Sequence, residues 1–132
     1  MKQQTLLLAY PAIITPDEPS GYLVQFPDLP NIFTGTNENN LATAINEGSE
    51  ALGLLLADYI ERGKTYAEPS KINEIKTDDN QIKTLITTDV SKYMNDKMVK
   101  KTLTIPEWAD RKGKKLGINF SNVLTQSILT MK

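Results

Sequence analysis

Cysteine and histidine are both missing from this sequence of 132 residues. Without them there is no Cys/His zinc site, no disulfide framework, no thiol nucleophile and no Ser-His or Cys-His dyad. Any chemistry has to come from carboxylates, lysines or hydroxyls. Missing cysteine says little about compartment, because reducing and oxidising environments both tolerate a cysteine-free chain. Long apolar runs are missing too. Leu6-Leu7-Leu8-Ala9 and Leu52-Gly53-Leu54-Leu55-Leu56-Ala57 are the longest, far short of the ~20 residues that span a bilayer. Met1-Lys2-Gln3-Gln4 leads through a short run to Pro11 rather than to a small-residue cleavage site, so a signal peptide is not expected. A soluble cytoplasmic protein with no membrane contact is the expectation.

What is present is a hidden charge split. The formal net charge is −1, yet residues 1–96 hold seven basic and fourteen acidic side chains, a balance of −7. Residues 97–132 hold eight basic side chains against Glu107 and Asp110, a balance of +6. Two modules with different partners are implied, the basic one suited to nucleic acid.

The first ninety residues read as an α+β layer. Residues 5–14 and 22–26 are strand-like, with Pro16-Asp17-Glu18-Pro19-Ser20-Gly21 as turn chemistry between them. Prolines 27 and 30 end the second strand, and residues 32–36 supply a short third. From Leu41 the apolar period lengthens to about 3.6. Leu41, Ile45, Leu52, Leu56 and Tyr59 share a helical stripe that runs to about Arg62, and Gly63 suits the position just past the end. The opposite face carries Glu47, Glu50, Asp58 and Glu61, with Leu54 among them. Residues 64–81 are polar, with an extended piece expected at 72–75, and residues 82–90 form a β-branched strand. A helix packed on one face of a sheet follows, with domain 1–90, linker 91–98 and module 99–132.

In the last segment, Val99, Leu103 and Ile105 alternate with Lys100, Thr102 and Thr104, the pattern of a strand. Pro106 opens a helix through Trp108 to Leu116, stopped by Gly117, and Asn119 caps a second helix that keeps its period to Met131. Phe26 and Trp108 are expected in the core, since large aromatics dominate cores. Strand, helix and helix in so few residues fall below the ~40 that usually fold unaided. Two copies pairing as an antiparallel ribbon would share one core and project Lys100, Thr102 and Thr104 together. Such a ribbon fits the DNA major groove. The helix start at Asn119, Ser121 and Asn122, with N–H groups unused near Phe120 to Asn122, suits a backbone phosphate.

This segment resembles the ribbon-helix-helix module, and Lys-Lys-Thr-Leu-Thr-Ile-Pro-Glu-Trp followed by Leu-Gly-Ile-Asn-Phe-Ser-Asn-Val-Leu is close to the form in HicB antitoxins. Phe26-Pro27-Asp28-Leu29-Pro30, the helix with Ala42, Ala51 and Leu52, and Asp89-Val90-Ser91-Lys92-Tyr93 strengthen the resemblance, which covers nearly the whole chain. Asn31-Ile32 stands where the family often has Gly-Cys. Lys112 and Gly113 stand where a helix would bury an apolar residue and a small helix former, and a mid-helix Gly costs about 1 kcal/mol against Ala.

The resemblance implies an N-terminal domain similar to a truncated RNase H fold that occludes a small basic mRNA-cleaving HicA-type toxin. It also implies a C-terminal module that dimerises, binds operator DNA and represses the operon, with higher-order assembly with toxin left open. Asp28, Leu29, Glu47, Glu50 and Leu54 are the expected toxin contacts, and the resemblance implies no cofactor, no metal and no catalytic residue. Two alternatives stand beside this: a metal-dependent RNase H-like nuclease using Asp28, Glu47, Glu50, Asp58 and Asp89, and a ligand-sensing ribbon-helix-helix repressor.

Overall fold

The computed structural model describes residues 4–30, 32–95 and 97–131. Asn31, in the turn that departs from the family pattern, and Asp96, in the expected linker, lie outside the described residues. The chain divides into two compact units, one of Leu7–Met94 and one that joins Met1–Leu6 to Asn95–Lys132. The break after Met94 falls inside the 91–98 segment, but the first six residues group with the C-terminal segment.

The Leu7–Met94 unit is built on a four-stranded antiparallel sheet. Its strands are β1 (Leu7–Pro16), β2 (Tyr22–Gln25), β3 (Phe33–Thr36) and β4 (Ile82–Asp89), in the order β3-β2-β1-β4. β1 starts two residues later than the sequence pattern suggested and continues through Pro16. Its pairing explains both limits: β4 covers it from Leu7 to Ile14, and β2 covers it from Ile13 to Pro16. Pro11 therefore sits where β1 has β4 beside it but not β2, a place where a residue without an N–H is tolerated. The turn into β2 is closed by the Asp17 N–H on the Gly21 carbonyl at 3.0 Å, with Gly21 at φ 97.

Helix α1 (Leu41–Glu61) crosses one sheet face on its way from β3 to β4. Asn40 caps it through Oδ1 on the Ala42 N–H at 3.0 Å, and Gly63 past its end takes φ 68. Ala44, Gly48, Leu52, Gly53, Leu56 and Ala57 form its buried face. They meet Tyr10, Ile14, Val24, Phe26 and Ile86, all at most 2% exposed. Full burial of such side chains contributes roughly 1.5–3 kcal/mol each. Gly48 lets the helix approach closely, since a β-carbon there would lie 2.8 Å from Ile86 Cδ1 and 3.1 Å from Val24 Cγ1.

Two expectations are corrected here, at residues 72–75 and at Trp108. Residues 72–75 are not extended: Ile72–Glu74 is a single 3₁₀ turn, closed by the Glu74 N–H on the Lys71 carbonyl at 3.0 Å. Lys83 then donates from Nζ to the Ile75 carbonyl at 3.0 Å, so the segment packs by its backbone rather than by strand pairing. Residues 99–105 are not paired as a strand within this single chain; the ribbon expected for them is a pairing between two copies. Trp108 is 64% exposed rather than in a core.

The other unit contains α2 (Glu107–Leu116) and α3 (Phe120–Leu129). Pro106 precedes α2, and the helix ends on Gly117 at φ 69. The Ile118 N–H reaches the Gly113 carbonyl and the Gly117 N–H reaches Lys114, both at 3.1 Å. That reciprocal pair is the Schellman closure, which satisfies carbonyls a helix end would otherwise leave open. Among the described residues no helix is long and apolar enough to cross a membrane.

Candidate functional site

Within Leu7–Met94, the Phe26 to Pro30 turn is closed by the Leu29 N–H on the Phe26 carbonyl at 3.0 Å. Leu29 is buried in the core, so its side chain is not on offer to a partner. The Asp28 carboxylate is engaged inside the chain. Its Oδ2 accepts the Ser70 N–H at 2.8 Å, and its Oδ1 accepts the Ser70 hydroxyl at 2.5 Å. Tyr10 holds the same loop from below, donating its hydroxyl to the Ala67 carbonyl at 2.6 Å. Burial pushes the Tyr10 hydroxyl above its ordinary pKa, and Tyr66, Glu68 and Asp28 nearby push the same way. The turn is therefore a rigid joint between sheet and loop.

Glu47, Glu50 and Leu54 do fall together. At i, i+3 and i+7 they make one stripe of α1, opposite Gly48, Leu52 and Leu56. Glu50 is exposed and Leu54 is 53% exposed. Further along, Asp58 pairs with Arg62 at 2.9 Å, an exposed i, i+4 pair worth ~0.3–0.5 kcal/mol. A stripe of acids around one exposed leucine can meet a basic partner by charge and bury a small apolar centre. The carboxylates do not gather for metal: among the described residues no group of three or more His, Cys, Asp or Glu could hold an ion. Asp89 is committed to the Ser91 N–H at 3.1 Å and the Ser91 hydroxyl at 2.6 Å.

In the C-terminal unit, Lys100, Thr102 and Thr104 are exposed along one stretch of chain. So are the alternating apolar side chains, with Val99 at 86%, Leu103 at 55% and Ile105 at 44%. Leu116, Val123, Leu124 and Ile128 are exposed as well. Among the described residues of this unit Gly113 alone is buried. Exposed apolar surface on this scale is the mark of an interaction face.

The start of α3 is capped by Asn119, whose Oδ1 accepts the Asn122 N–H at 3.1 Å. The Asn122 N–H is therefore occupied, which corrects the expectation that it was unused. Ser121 is exposed beside it. The ring of Phe120 packs against Gly113, 2.5 Å from where a β-carbon would stand. No periodicity signalled that contact. Nor did it signal that Gln126 bonds to Thr5, from opposite ends of the sequence.

A search of curated protein sequences returns no match. Residues 10–123 match the family model of the HicB_like antitoxin of bacterial toxin-antitoxin system. Among solved structures, a chain of the toxin-antitoxin complex from Streptococcus pneumoniae is 34% identical with a TM-score of 0.64, over 96% of this chain and 100% of that one. The Burkholderia pseudomallei antitoxin HicB is 21% identical with a TM-score of 0.58, over 93% and 97%. A chain of the HicA3 and HicB3 toxin-antitoxin complex is 19% identical with a TM-score of 0.52, over 62% and 99%. These last two likenesses are of fold. With most of its length matched by the family model and a 34% identical relative covered end to end, this chain belongs to the HicB-like family of antitoxins of bacterial toxin-antitoxin systems.

Proposed function

We propose that this protein binds and occludes a small basic HicA-type mRNA-cleaving toxin through its Leu7–Met94 unit and, as a dimer formed by its C-terminal unit, binds operator DNA and represses its own operon. The observation that carries the first half is the match to a chain of the Streptococcus pneumoniae toxin-antitoxin complex over the full length of that chain. Charge supports the division of labour. Counted over the two structural units, Leu7–Met94 carries −7 and the remaining residues carry +6. An acidic unit attracts a basic ribonuclease, and a basic one attracts the phosphate backbone. The acidic stripe of Glu47, Glu50 and Leu54 is the proposed toxin contact, with Asp28 bracing the adjoining loop. Occlusion needs no chemistry from this chain, so no enzymatic activity is assigned. The protein acts in the cytoplasm, where mRNA and operator are found.

Dimerisation is supported by the exposed apolar residues of the C-terminal unit, which have too little to cover them in one chain. Pairing residues 99–105 of two copies would give each segment its strand partner and would set Lys100, Thr102 and Thr104 into the major groove. Asn119 and Ser121, with the first N–H groups of α3 not taken by the cap, would face the phosphate backbone. Co-expression with the neighbouring toxin gene tests the proposal. Growth rescue, a stable co-purified complex and a mobility shift on the operon's upstream DNA are expected. No rescue and no complex would overturn the antitoxin assignment, and no shift would overturn the operator assignment.

A further inference from the structure

The C-terminal unit recruits the opposite end of the chain. The Thr5 N–H donates to Gln126 Oε1 at 2.9 Å, and the Thr5 carbonyl accepts Gln126 Nε2 at 2.5 Å. A primary amide that meets both the N–H and the C=O of one residue reproduces the pairing a neighbouring strand would offer. Gln4 adds a third link, donating from Nε2 to the Asn122 carbonyl at 3.0 Å. Asn122 and Gln126 are one turn apart, so all three bonds land on a single stripe of α3. Along that stripe runs a groove of about 710 Å³, with Gln4 and Thr5 on one side and Val123, Ser127 and Thr130 among the helix residues on the other.

These bonds matter because the packing of Phe120 on Gly113 ties only the first turn of α3. None of its residues is buried, so apolar packing within one chain contributes little to its orientation. The three links to Gln4 and Thr5 span 118 to 121 positions of sequence. We propose that Gln4 and Thr5 are a strap and that Gln126 is a positioning residue: together they set the orientation of α3, so that operator affinity depends on Gln4 and Thr5. This rests on the operator-binding assignment above for its consequence, but not for its geometry.

Amide hydrogen exchange in residues 120–129 of the full-length protein tests the strap. The series compares wild type with Gln126→Ala, Gln126→Glu, a chain shortened to begin at Leu6 after a start methionine, and that truncation combined with Gln126→Ala. Gln126→Ala and the truncation should each speed exchange about fivefold to tenfold. Gln126→Glu keeps the acceptor for the Thr5 N–H but loses the donor, and should fall between. The combined variant should exchange no faster than the truncation alone, because the truncation already removes both Thr5–Gln126 bonds together with the Gln4 bond to Asn122. A change of helix propensity alone would act equally in both backgrounds, and alanine would slow exchange rather than speed it. Unchanged exchange on truncation, or additive effects, would overturn the strap. Mobility shifts on the same series should show operator affinity falling with the same non-additive pattern, and wild-type affinity in variants with accelerated exchange would overturn the positioning role. A wild-type protein that binds no operator would instead overturn the operator assignment, and the exchange series, which needs no DNA, decides the strap separately.

Discussion

Phe120 occupies the space that Gly113 leaves: its Cζ lies 2.5 Å and its Cε1 2.7 Å from the place of a Gly113 β-carbon. Helix propensity alone would make Gly113→Ala stabilising by about 1 kcal/mol. The contact reverses the sign. Gly113→Ala should lower stability by ~1–3 kcal/mol, as forced overpacking does, read from thermal or denaturant unfolding. Phe120→Leu in the same chain should recover part of that loss. A simple gain in stability from Gly113→Ala would show that the ring moves aside freely.

Leu103 and Ile105 should govern association rather than folding of the Leu7–Met94 unit. Leu103→Asp puts a charge on the face that two copies would share. It should convert a dimer to a monomer by sedimentation, abolish the operator shift and leave toxin capture intact. The chain holds one tryptophan, so Trp108 reports the same event directly. Its emission should move to the red on dilution through the dissociation range, and Leu103→Asp should show the red position at every concentration.

Lys100→Ala and Thr102→Ala should each weaken binding to the cognate operator by about fivefold to a hundredfold, the range of one lost base contact. Lys100→Ala should also reduce the steepness of the salt dependence. A control change at Lys76, in the acidic unit, should leave operator affinity unchanged in a titration by fluorescence anisotropy.

On the toxin side, Glu50→Lys should slow association and flatten its dependence on ionic strength, because charges near a rim act chiefly on the encounter rate. Leu54→Asp should raise the dissociation rate. Asp28→Ala should act differently, loosening the loop through Ser70 and lowering stability by ~1–3 kcal/mol with a smaller effect on association. Surface plasmon resonance against the purified toxin separates the three.

Tyr10 makes stability depend on alkaline pH. Its folded pKa is raised above the ordinary value near 10, first by burial and then by neighbouring charge. The stabilisation is thus complete below pH ~10 and is lost as pH rises above it, where the unfolded chain releases a proton that the folded one retains. In a spectrophotometric titration the five tyrosines should not ionise together: Tyr10 should appear late and in step with unfolding. Tyr10→Phe should remove that step.

Where a residue's partner lay close in sequence, the pattern was legible. The period of Leu41 to Tyr59, the stop at Gly63 and the Pro106 to Gly117 limits of α2 all follow from local sterics and one-sided burial, and α1, α2 and the glycine turns match them. Leu29 was misplaced because a turn residue can point inward as easily as out, and only the packing against the sheet decides. Residues 72–75 set Ile72 and Ile75 three apart in a polar stretch, a spacing that suits the three-residue repeat of a 3₁₀ turn rather than the two-residue repeat of a strand. Trp108 and the 99–105 stretch read as core and strand because their amino acids want cover, and one chain does not supply it. The Thr5 bond to Gln126 could not be read at all, since nothing in a glutamine on a helix says which backbone it will meet.

The order of synthesis gives the strap a temporal meaning. Leu7–Met94 is a continuous stretch, so it can fold as soon as it leaves the ribosome, before α2 and α3 exist. Thr5 is made before Gln126, its partner 121 positions later. The unit proposed to meet toxin can thus be folded on a nascent chain before the unit proposed to meet DNA is complete.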